Sequence, residues 1–382
     1  GQNVNVGYYY QADFTVNGQT VTSNSGSTSK FESSDFTANA DGTLTITVNT
    51  LTYFTGITVG TKVPYAENIY VGADKEYKTI NDALAAVRLM DRPNSERVTI
   101  NVDPGDYQEM LVIDVDNVTL KNTAANPDTA LINKGVNITE NGVRVTSYYI
   151  HGYNYFSMTD DCKYDEEVLK TNKENGYLSF ENPGSGTTKN SYWNATVTVR
   201  GTGFEADGII FENSANQYIS TKEANDVVQE WTVGGKGTRP TTAGDTSVQN
   251  KSFVERAAAI AILGDKAYFN NCKFVGRQDT LYGASNIRAA FNKCTAMGGT
   301  DFIFGGMVAT FYKSDIMMNT SEDNNDVSYL TAAQQASGRG YLMYDCNVVS
   351  TTPGVDTASE YVSKPGYFGR PWQATTSEVA FV

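Results

Sequence analysis

Histidine is almost missing from this chain, which contains a single one, His151, among 382 residues. A Ser–His–Asp triad would have to use that residue, and no G-x-S-x-G nucleophile elbow is present. HExxH, P-loop and EF-hand patterns are also absent. His151 is therefore predicted to be structural or solvated, and any chemistry depends on other side chains.

Basic residues are scarce as well. The chain has 29 Lys and Arg against 43 Asp and Glu, for a net charge of −14. This balance excludes a nucleic-acid partner, which requires a basic surface. It also repels a polyanion at long range, but not a polymer whose carboxylates are esterified. No run of 18 or more apolar residues occurs, so no membrane span is expected.

Cysteine is limited to positions 162, 272, 294 and 346, whose spacing matches neither a zinc ribbon nor a compact disulfide framework. Cys272, Cys294 and Cys346 recur at equivalent places in β-type segments and are interpreted as small buried residues facing a core. A disulfide between Cys272 and Cys294 is the alternative.

What the chain does contain is a repeat of 22 residues. The pairs at this spacing are Phe269 and Phe291, Cys272 and Cys294, Asp279 and Asp301, and Arg256 and Gln278. A period in the twenties with short β-segments is typical of a solenoid, in which residues one period apart lie about 4.8 Å from each other. The spacing therefore predicts two stacked carboxylates on one wall, beside an arginine and a glutamine.

The repeat also predicts the fold. An aromatic residue or Met, followed three residues later by Cys or Ser, recurs at Phe211–Ser214, Phe269–Cys272, Phe291–Cys294, Phe311–Ser314 and Met343–Cys346. Polar, Gly-rich insertions at 151–195 and 217–250 interrupt it and are interpreted as lateral loops. The favoured fold is all-β: a right-handed, single-stranded parallel β-helix. A β-propeller requires a period above about 40 and has less support.

Two domains are predicted. Residues 1–66 are rich in Thr, Ser, Asn, Gly and Tyr with strand-like alternation, and we expect a small β-module for carbohydrate binding or spacing. Residues 67–382 form the β-helix domain, for which we expect C-terminal truncation because the segment TSEVAFV ends it without a cap.

An amphipathic helix is predicted at the start of the β-helix. Thr79 and Asp82 resemble a capping box, and the helix is expected to end before Pro93. One apolar face is formed by Ile80, Ala83, Leu84 and Val87. Such a helix covers the open apolar end of a solenoid.

The paired aspartates are the strongest candidates for chemistry. Two adjacent carboxylates do not both ionise easily, so that one can act as an acid while the other serves as nucleophile or base. The alternative is that each Asp caps a turn of the solenoid. Gln278 and Arg256 favour the chemical interpretation, because amide and guanidinium donors can stabilise an oxyanion.

From about Tyr70 to Trp372 the chain resembles the pectin methylesterases (pectinesterases), aspartyl esterases with a parallel β-helix fold. The matching segments are GDYQE at 105–109, QDTLY at 278–282, DFIFG at 301–305 and GRPW at 369–372. One segment departs from the family, whose members usually have Gln at the start of a Q-A-V-A-L segment, 22 residues before the Gln of QDTL. Arg256 occupies that position here.

The resemblance implies a set of roles. Asp301 is the nucleophile, Asp279 the acid and base, and Gln278 the oxyanion donor; Arg256 either joins it or pairs with Asp279. Arg370 pairs with Asp301. Substrate contacts are implied for Trp372, Phe302 and Tyr282. For Tyr107 and Glu109 a structural turn role has equal support. No metal or cofactor is implied.

The resemblance further implies methyl-esterified homogalacturonan as substrate, methanol as product, and a secreted or cell-surface monomer. Two alternatives remain at this stage. A pectate lyase or polygalacturonase would need clustered carboxylates for calcium or a Gly-His-Gly segment, whereas His151 lies in Ile-His-Gly. A non-catalytic, polysaccharide-binding β-helix is the other.

Overall fold

Three long parallel sheets form the body of the protein. The computed structural model describes residues 2–9, 12–22, 31–60, 63–93, 95–150, 192, 195–225, 230–231, 237–362, 365–373 and 376–382. His151 and Cys162 lie outside the described residues. Each coil contributes one strand to each sheet in turn, and spatial neighbours follow the chain order. The predicted parallel β-helix is confirmed.

The strands of the first sheet are Asn68–Val71, Val98–Val102, Val118–Asn122, Glu205–Asp207, Ala267–Asn270, Arg288–Asn292, Val308–Tyr312, Tyr341–Tyr344 and Val379–Phe381. Those of the second are Gly105–Tyr107, Val143–Ser147, Ile209–Asn213, Lys273–Val275, Thr295–Gly298, Asp315–Met318 and Asn347–Ser350. Those of the third are Leu111–Ile113, Val197–Val199, Ile260–Ile262, Leu281–Gly283, Thr300–Gly305, Ser328–Ala333 and Gly366–Pro371.

Stacked aromatic rings fill the interior behind the first sheet. Phe269, Phe291, Phe311 and Met343 are in register on successive strands. The ring centroids of Phe269 and Phe291 lie 5.0 Å apart, and those of Phe291 and Phe311 lie 4.3 Å apart. The ring planes are tilted by only 5° in each pair. The 22-residue repeat therefore does report one coil of the solenoid, as predicted.

Phe211 was wrongly aligned with this stack. It lies in the second sheet, where its register partners are Val145 and Phe274. The residue of that coil that pairs with Phe269 is Ala206. The insertions on both sides of this coil remove the constant spacing that aligns the other members, so the short motif alone was misleading.

The regular spacing of Cys and Ser within these coils reflects the turn after each first-sheet strand. The residue before each one has a left-handed backbone: Asn271, Lys293, Lys313 and Asp345, with φ between 48° and 54°. The Sγ of Cys272 donates to the Asn270 carbonyl at 3.3 Å. Cys272, Cys294 and Cys346 are free thiols, so the disulfide alternative is wrong.

The predicted capping helix spans Ile80–Arg88. The Thr79 hydroxyl accepts a hydrogen bond from the Asp82 amide at 3.0 Å, as expected of its N-cap. The four residues of its predicted apolar face, Ile80, Ala83, Leu84 and Val87, are at most 2% exposed and join the interior of the β-helix.

Glu109 completes this helix N-terminus. Its carboxylate accepts hydrogen bonds from the backbone amides of Ile80 (2.9 Å) and Asn81 (3.0 Å). These amides have no intrahelical acceptor, and the positive end of the helix dipole favours an anion there. Nearby, the Tyr107 hydroxyl donates to the Asp103 carbonyl at 2.8 Å, and burial raises the pKa of Tyr107 to about 12. The GDYQE segment therefore has a structural role.

The described parts of residues 2–60 form two small antiparallel sheets around their own core. One consists of Phe31–Thr37, Asn3–Tyr9 and Phe54–Gly60, and the other of Gln19–Thr22, Asp13–Val16 and Ile46–Val48. Phe14 lies at the centre of this core, with its ring centroid 5.1 Å from that of Tyr8 and 5.0 Å from that of Phe54.

The remaining elements are short. Strand pairs are Val63–Pro64 with Met90–Asp91, Leu131–Ile132 with Asn137–Ile138, and Glu230–Trp231 with Gly237–Thr238. An α-helical turn at Thr221–Ala224 and 3-10 turns at Ser214–Asn216, Ser247–Gln249 and Lys251–Phe253 belong to the loops beside the third sheet. None of the helices in the described segments has the length and apolar character needed to cross a membrane.

The structural role of Glu109 predicts a loss of stability without its charge. Glu109→Gln should lower the free energy of unfolding by about 1–2 kcal/mol, because one amide oxygen replaces two carboxylate oxygens at a helix N-terminus. Denaturant unfolding measures this loss. Glu140→Gln, at an exposed position, is the control, and equal effects of the two substitutions would contradict the assignment.

Candidate active site

A row of side chains crosses the third sheet at the start of its strands. Backbone bridges connect Arg256 to Gln278 and Gln278 to Thr300. Thr300 is in register with Tyr329, and Tyr329 with Tyr367. The row therefore runs from a cation through an amide and a hydroxyl to two phenol rings. The stacking of Arg256 and Gln278 follows the spacing predicted from the sequence.

The two aspartates lie one residue beyond this row, in adjacent coils. Both have a left-handed backbone, with φ of 58° at Asp279 and 50° at Asp301. The Asp279 amide donates to the Thr300 carbonyl at 3.0 Å, which holds the two coils together at this point. A left-handed conformation costs energy at residues other than glycine and concentrates at functional sites. The predicted proximity of the two residues thus has a local backbone cause.

A bulge orients Asp301. The register between Thr300–Gly305 and the next strand shifts between Thr300 and Ile303, so that two residues oppose one. As a result Phe302 and Ile303 both belong to the interior, although they are consecutive. Asp301 is consequently separated from that interior at the start of the strand, and it is 8% exposed.

Phe302 therefore does not line a cleft, and its assignment to substrate contact was wrong. Its side chain is 0% exposed and is part of the central core. Gly298 makes room for it, since a Cβ atom there would lie 2.1 Å from the Cβ of Phe302. The physical reason is the bulge, which reverses the alternation of side chains that the strand pattern suggests.

Arg370 holds Asp301 in a bidentate ion pair. Its Nε donates to Oδ1 at 2.9 Å and its Nη2 to Oδ2 at 2.5 Å. The side chain of Asp301 is 11% exposed and that of Arg370 38% exposed. The hydrogen bond to Asp301 raises the pKa of Arg370. The predicted pairing of these two residues is present, and its fork geometry fixes the plane of the carboxylate.

Aromatic rings surround the guanidinium group. The Arg370 Cζ lies 4.3 Å from the ring centroid of Tyr329 and 5.3 Å from that of Trp372. Tyr329 in turn stacks on Tyr367, with centroids 5.3 Å apart and planes 18° apart. Trp372, Tyr367 and Phe368 are 43%, 60% and 61% exposed. The sequence repeat does not reveal the two tyrosines, because long loops separate the last coils and obscure the repeat there.

Arg256 and Gln278 occupy the other side of the aspartates. Gln278 is partly exposed, and its backbone carbonyl accepts a hydrogen bond from the Ala257 amide at 3.2 Å. The Arg256 Nε lies 3.6 Å from Glu255 Oε1, and both side chains are about one-sixth exposed, at 17% and 16%. The donors expected for an oxyanion are thus next to the paired carboxylates in the backbone register.

A buried arginine beside Gln278 connects the site to the surrounding loops. Arg277 precedes Gln278 and is 1% exposed. Its guanidinium donates to the carbonyls of Asn216 (2.9 Å) and Asn319 (3.3 Å) and to Oε1 of Gln249 (2.8 Å). Burial lowers the pKa of Arg277 to about 9. These hydrogen bonds tie three loop segments to the strand that carries the site, a role that sequence reasoning did not detect.

Tyr282 lies on the outer wall of the third sheet. Its ring is stacked on Tyr192, with centroids 4.2 Å apart, and lies 5.0 Å from that of Phe304. Burial raises the pKa of the Tyr282 hydroxyl. Tyr282 and Phe304 are in register on neighbouring strands of this sheet. Phe304, and not Phe302, is therefore the phenylalanine of DFIFG that faces this wall.

Comparisons with known proteins concern the region that carries the candidate site. The family model described as Pectinesterase matches residues 218–381. The matched region contains the aspartate pair, both candidate oxyanion donors, Arg370 and Trp372.

Curated relatives are pectinesterases of fungi and plants. Probable pectinesterase A of Neosartorya fischeri is 31% identical over 209 residues, which are 55% of this chain and 49% of that protein. Probable pectinesterase/pectinesterase inhibitor 64 of Arabidopsis thaliana is 28% identical over 144 residues, 34% of this chain and 23% of that protein. The chain thus spans half or less of the length of these relatives.

Solved pectin methylesterases share the fold. One, in complex with a hexasaccharide, has a TM-score of 0.51 at 22% identity and covers 82% of this chain and 72% of its own. The carrot enzyme has a TM-score of 0.51 at 19% identity and covers 83% of this chain and 72% of its own. At these identities the similarity shows the parallel β-helix alone.

The interior position of Phe302 predicts a large loss of stability on truncation. Phe302→Ala should lower the free energy of unfolding by about 3–5 kcal/mol, because it leaves a cavity in a close-packed core. Denaturant unfolding measures the loss. Phe368→Ala, at a side chain that is 61% exposed, is the matched control. A loss below about 1 kcal/mol for Phe302→Ala would contradict the buried position of this ring.

Proposed function

We propose that this protein is a pectin methylesterase, which hydrolyses the C6 methyl esters of galacturonosyl units in pectin and releases methanol. The observation that carries the proposal is the Asp301 carboxylate, clamped by both donors of Arg370 at 2.9 and 2.5 Å and stacked one coil from Asp279. A carboxylate held in one plane by a guanidinium group is suited to nucleophilic attack.

In the first half of the reaction, Asp301 attacks the carbonyl carbon of the methyl ester. The tetrahedral oxyanion receives hydrogen bonds from the Gln278 amide, with Arg256 as the second donor. Asp279, protonated at this stage, gives its proton to the methoxy oxygen as the C–O bond breaks. Methanol leaves, and the uronyl group is bound to Asp301 as a mixed anhydride.

In the second half, Asp279 is a carboxylate and takes a proton from water. The resulting hydroxide attacks the acyl carbon, and the same donors bind the second oxyanion. Cleavage of the anhydride bond restores the Asp301 carboxylate and leaves Asp279 protonated for the next cycle. The products are methanol and one carboxylic acid group on the polymer, which releases its proton to solvent and becomes a carboxylate. No metal or cofactor takes part in these steps.

The surrounding side chains fit a sugar polymer. Trp372 is 43% exposed beside Arg370 and offers a flat apolar face to a sugar ring. Tyr282, three residues after Asp279, is a further proposed contact. A net charge of −14 disfavours long-range approach of a fully ionised galacturonan, whereas an esterified chain is not repelled. Methyl-esterified homogalacturonan is therefore the proposed substrate.

The site requires one chain, since Asp301 and Arg370 lie on strands of the third sheet, and Gln278 and Asp279 lie just before another strand of that sheet. We therefore propose a monomeric enzyme. Because its substrate is a cell-wall polymer, we place its action outside the cell.

Methanol release from highly methylated pectin tests the activity against its alternatives. A lyase would form unsaturated products and a polygalacturonase shortened ones, in both cases without methanol. A polysaccharide-binding protein without activity would form none of these. Absence of methanol at any pH between 4 and 9 would overturn the esterase assignment.

Replacement of the proposed nucleophile should abolish turnover while the fold persists. Asp301→Ala is expected to lower kcat on the order of 10³-fold or more, because no other group can form the acyl intermediate. Methanol release measures kcat, and circular dichroism verifies folding. Asp74→Ala, at an exposed position, is the control. Activity of Asp301→Ala within tenfold of the unmodified protein would refute the nucleophile assignment.

Arg256 offers a test of the oxyanion donors. Arg256→Ala should lower kcat about 100-fold, the typical cost of one lost donor, whereas Arg256→Gln should retain most activity because an amide can take the same position. Steady-state kinetics on methylated pectin compares the two variants. Unchanged or faster turnover of Arg256→Ala would show that this arginine does not stabilise the oxyanion.

A further inference from the structure

The ring of Tyr329 lies against the guanidinium group that holds the nucleophile. The Arg370 Cζ is 4.3 Å from the Tyr329 centroid, closer than the 5.3 Å to Trp372. Tyr329 occupies the third-sheet strand between that of Asp301 and that of Arg370. It therefore lies on the one strand that separates the two partners of the ion pair along the sheet.

Arg370 needs such support, because its side chain is 38% exposed. An arginine at a partly hydrated site has several rotamers, and water competes for its donors. The bidentate pair with Asp301 requires one of these rotamers and one orientation of the guanidinium plane. A ring within about 6 Å of the cation attracts it and removes water from one side.

The support is itself braced. Tyr329 stacks on Tyr367 with planes 18° apart, and its amide donates to the Gly299 carbonyl at 2.8 Å. Trp372 is not equivalent, since it follows the strand Gly366–Pro371, is 43% exposed and is the proposed contact for sugar. Tyr329 is held by the sheet and is only partly exposed.

We propose that Tyr329 is a positioning residue, whose ring fixes the Arg370 guanidinium so that both of its donors engage Asp301. This inference rests on the proposed function, because Asp301 is the nucleophile there. The ring face provides the effect, and the phenol hydroxyl takes no part in it. A phenylalanine at this position should therefore suffice, whereas an aliphatic residue should not.

The test compares Tyr329→Leu with Tyr329→Phe. In methanol-release kinetics Tyr329→Leu should lower kcat about tenfold, with KM within about twofold, and Tyr329→Phe should stay within about twofold of the unmodified protein. Tyr344→Leu is the matched control, since Tyr344 is also a stacked tyrosine, with its ring 5.9 Å from that of Tyr312, but belongs to the first sheet. Its activity should not change.

A double-mutant cycle separates positioning from a general structural effect. If Tyr329 acts through Arg370, Tyr329→Leu should have no further effect on kcat in an Arg370→Ala background. Independent effects of the two substitutions, which multiply in the double variant, would overturn the inference.

Crystal structures of the variants provide a readout that does not depend on activity. Both hydrogen bonds from Arg370 to Asp301 should persist in Tyr329→Phe and at least one should be lost in Tyr329→Leu. Two intact bonds in Tyr329→Leu would overturn the positioning role. By contrast, unmodified protein that releases no methanol would overturn the proposed function, so the two failures are distinguishable.

Discussion

The parallel register of the third sheet is the constraint on which the site depends. Each strand lies about 4.8 Å from the next, so residues one coil apart become neighbours whatever their distance in the chain. This register brings together Arg256, Gln278 and Thr300, and it places the two aspartates in adjacent coils. The cores of stacked phenylalanines and the bonds of Arg277 keep these coils from sliding, because any slip would separate all of these partners at once.

The second requirement is that the Asp301 carboxylate lies outside the core while the residues that follow it stay buried. The bulge and left-handed backbone at Asp301 achieve this, since Phe302 and Ile303 are both buried next to a carboxylate that meets Arg370. Asp279 has the same backbone conformation one coil earlier. The burial of the residues that follow each aspartate therefore offsets the backbone strain at both aspartates. The same arrangement occurs in two successive coils.

The predictive value of the sequence differed among particular residues. The 22-residue repeat correctly predicted the stacking of Phe269 on Phe291 and of Arg256 on Gln278, because a spacing that is kept over successive coils reports the length of a coil. The motif misplaced Phe211, because insertions interrupt the spacing there. The resemblance suggested Phe302 as a substrate contact, but a bulge places this ring in the core. Tyr329 and Tyr367 were missed, since loops of different length precede their strands.

Amino-acid order alone was sufficient for the solenoid, its capping helix and the identity of the paired aspartates, because periodicity and amphipathic patterns are local properties of a chain. The folded protein alone decided which face each side chain takes at a bulge, that Glu109 caps a helix, and which rings surround Arg370. Those outcomes depend on backbone conformation and on contacts between distant coils, neither of which any short stretch of sequence contains.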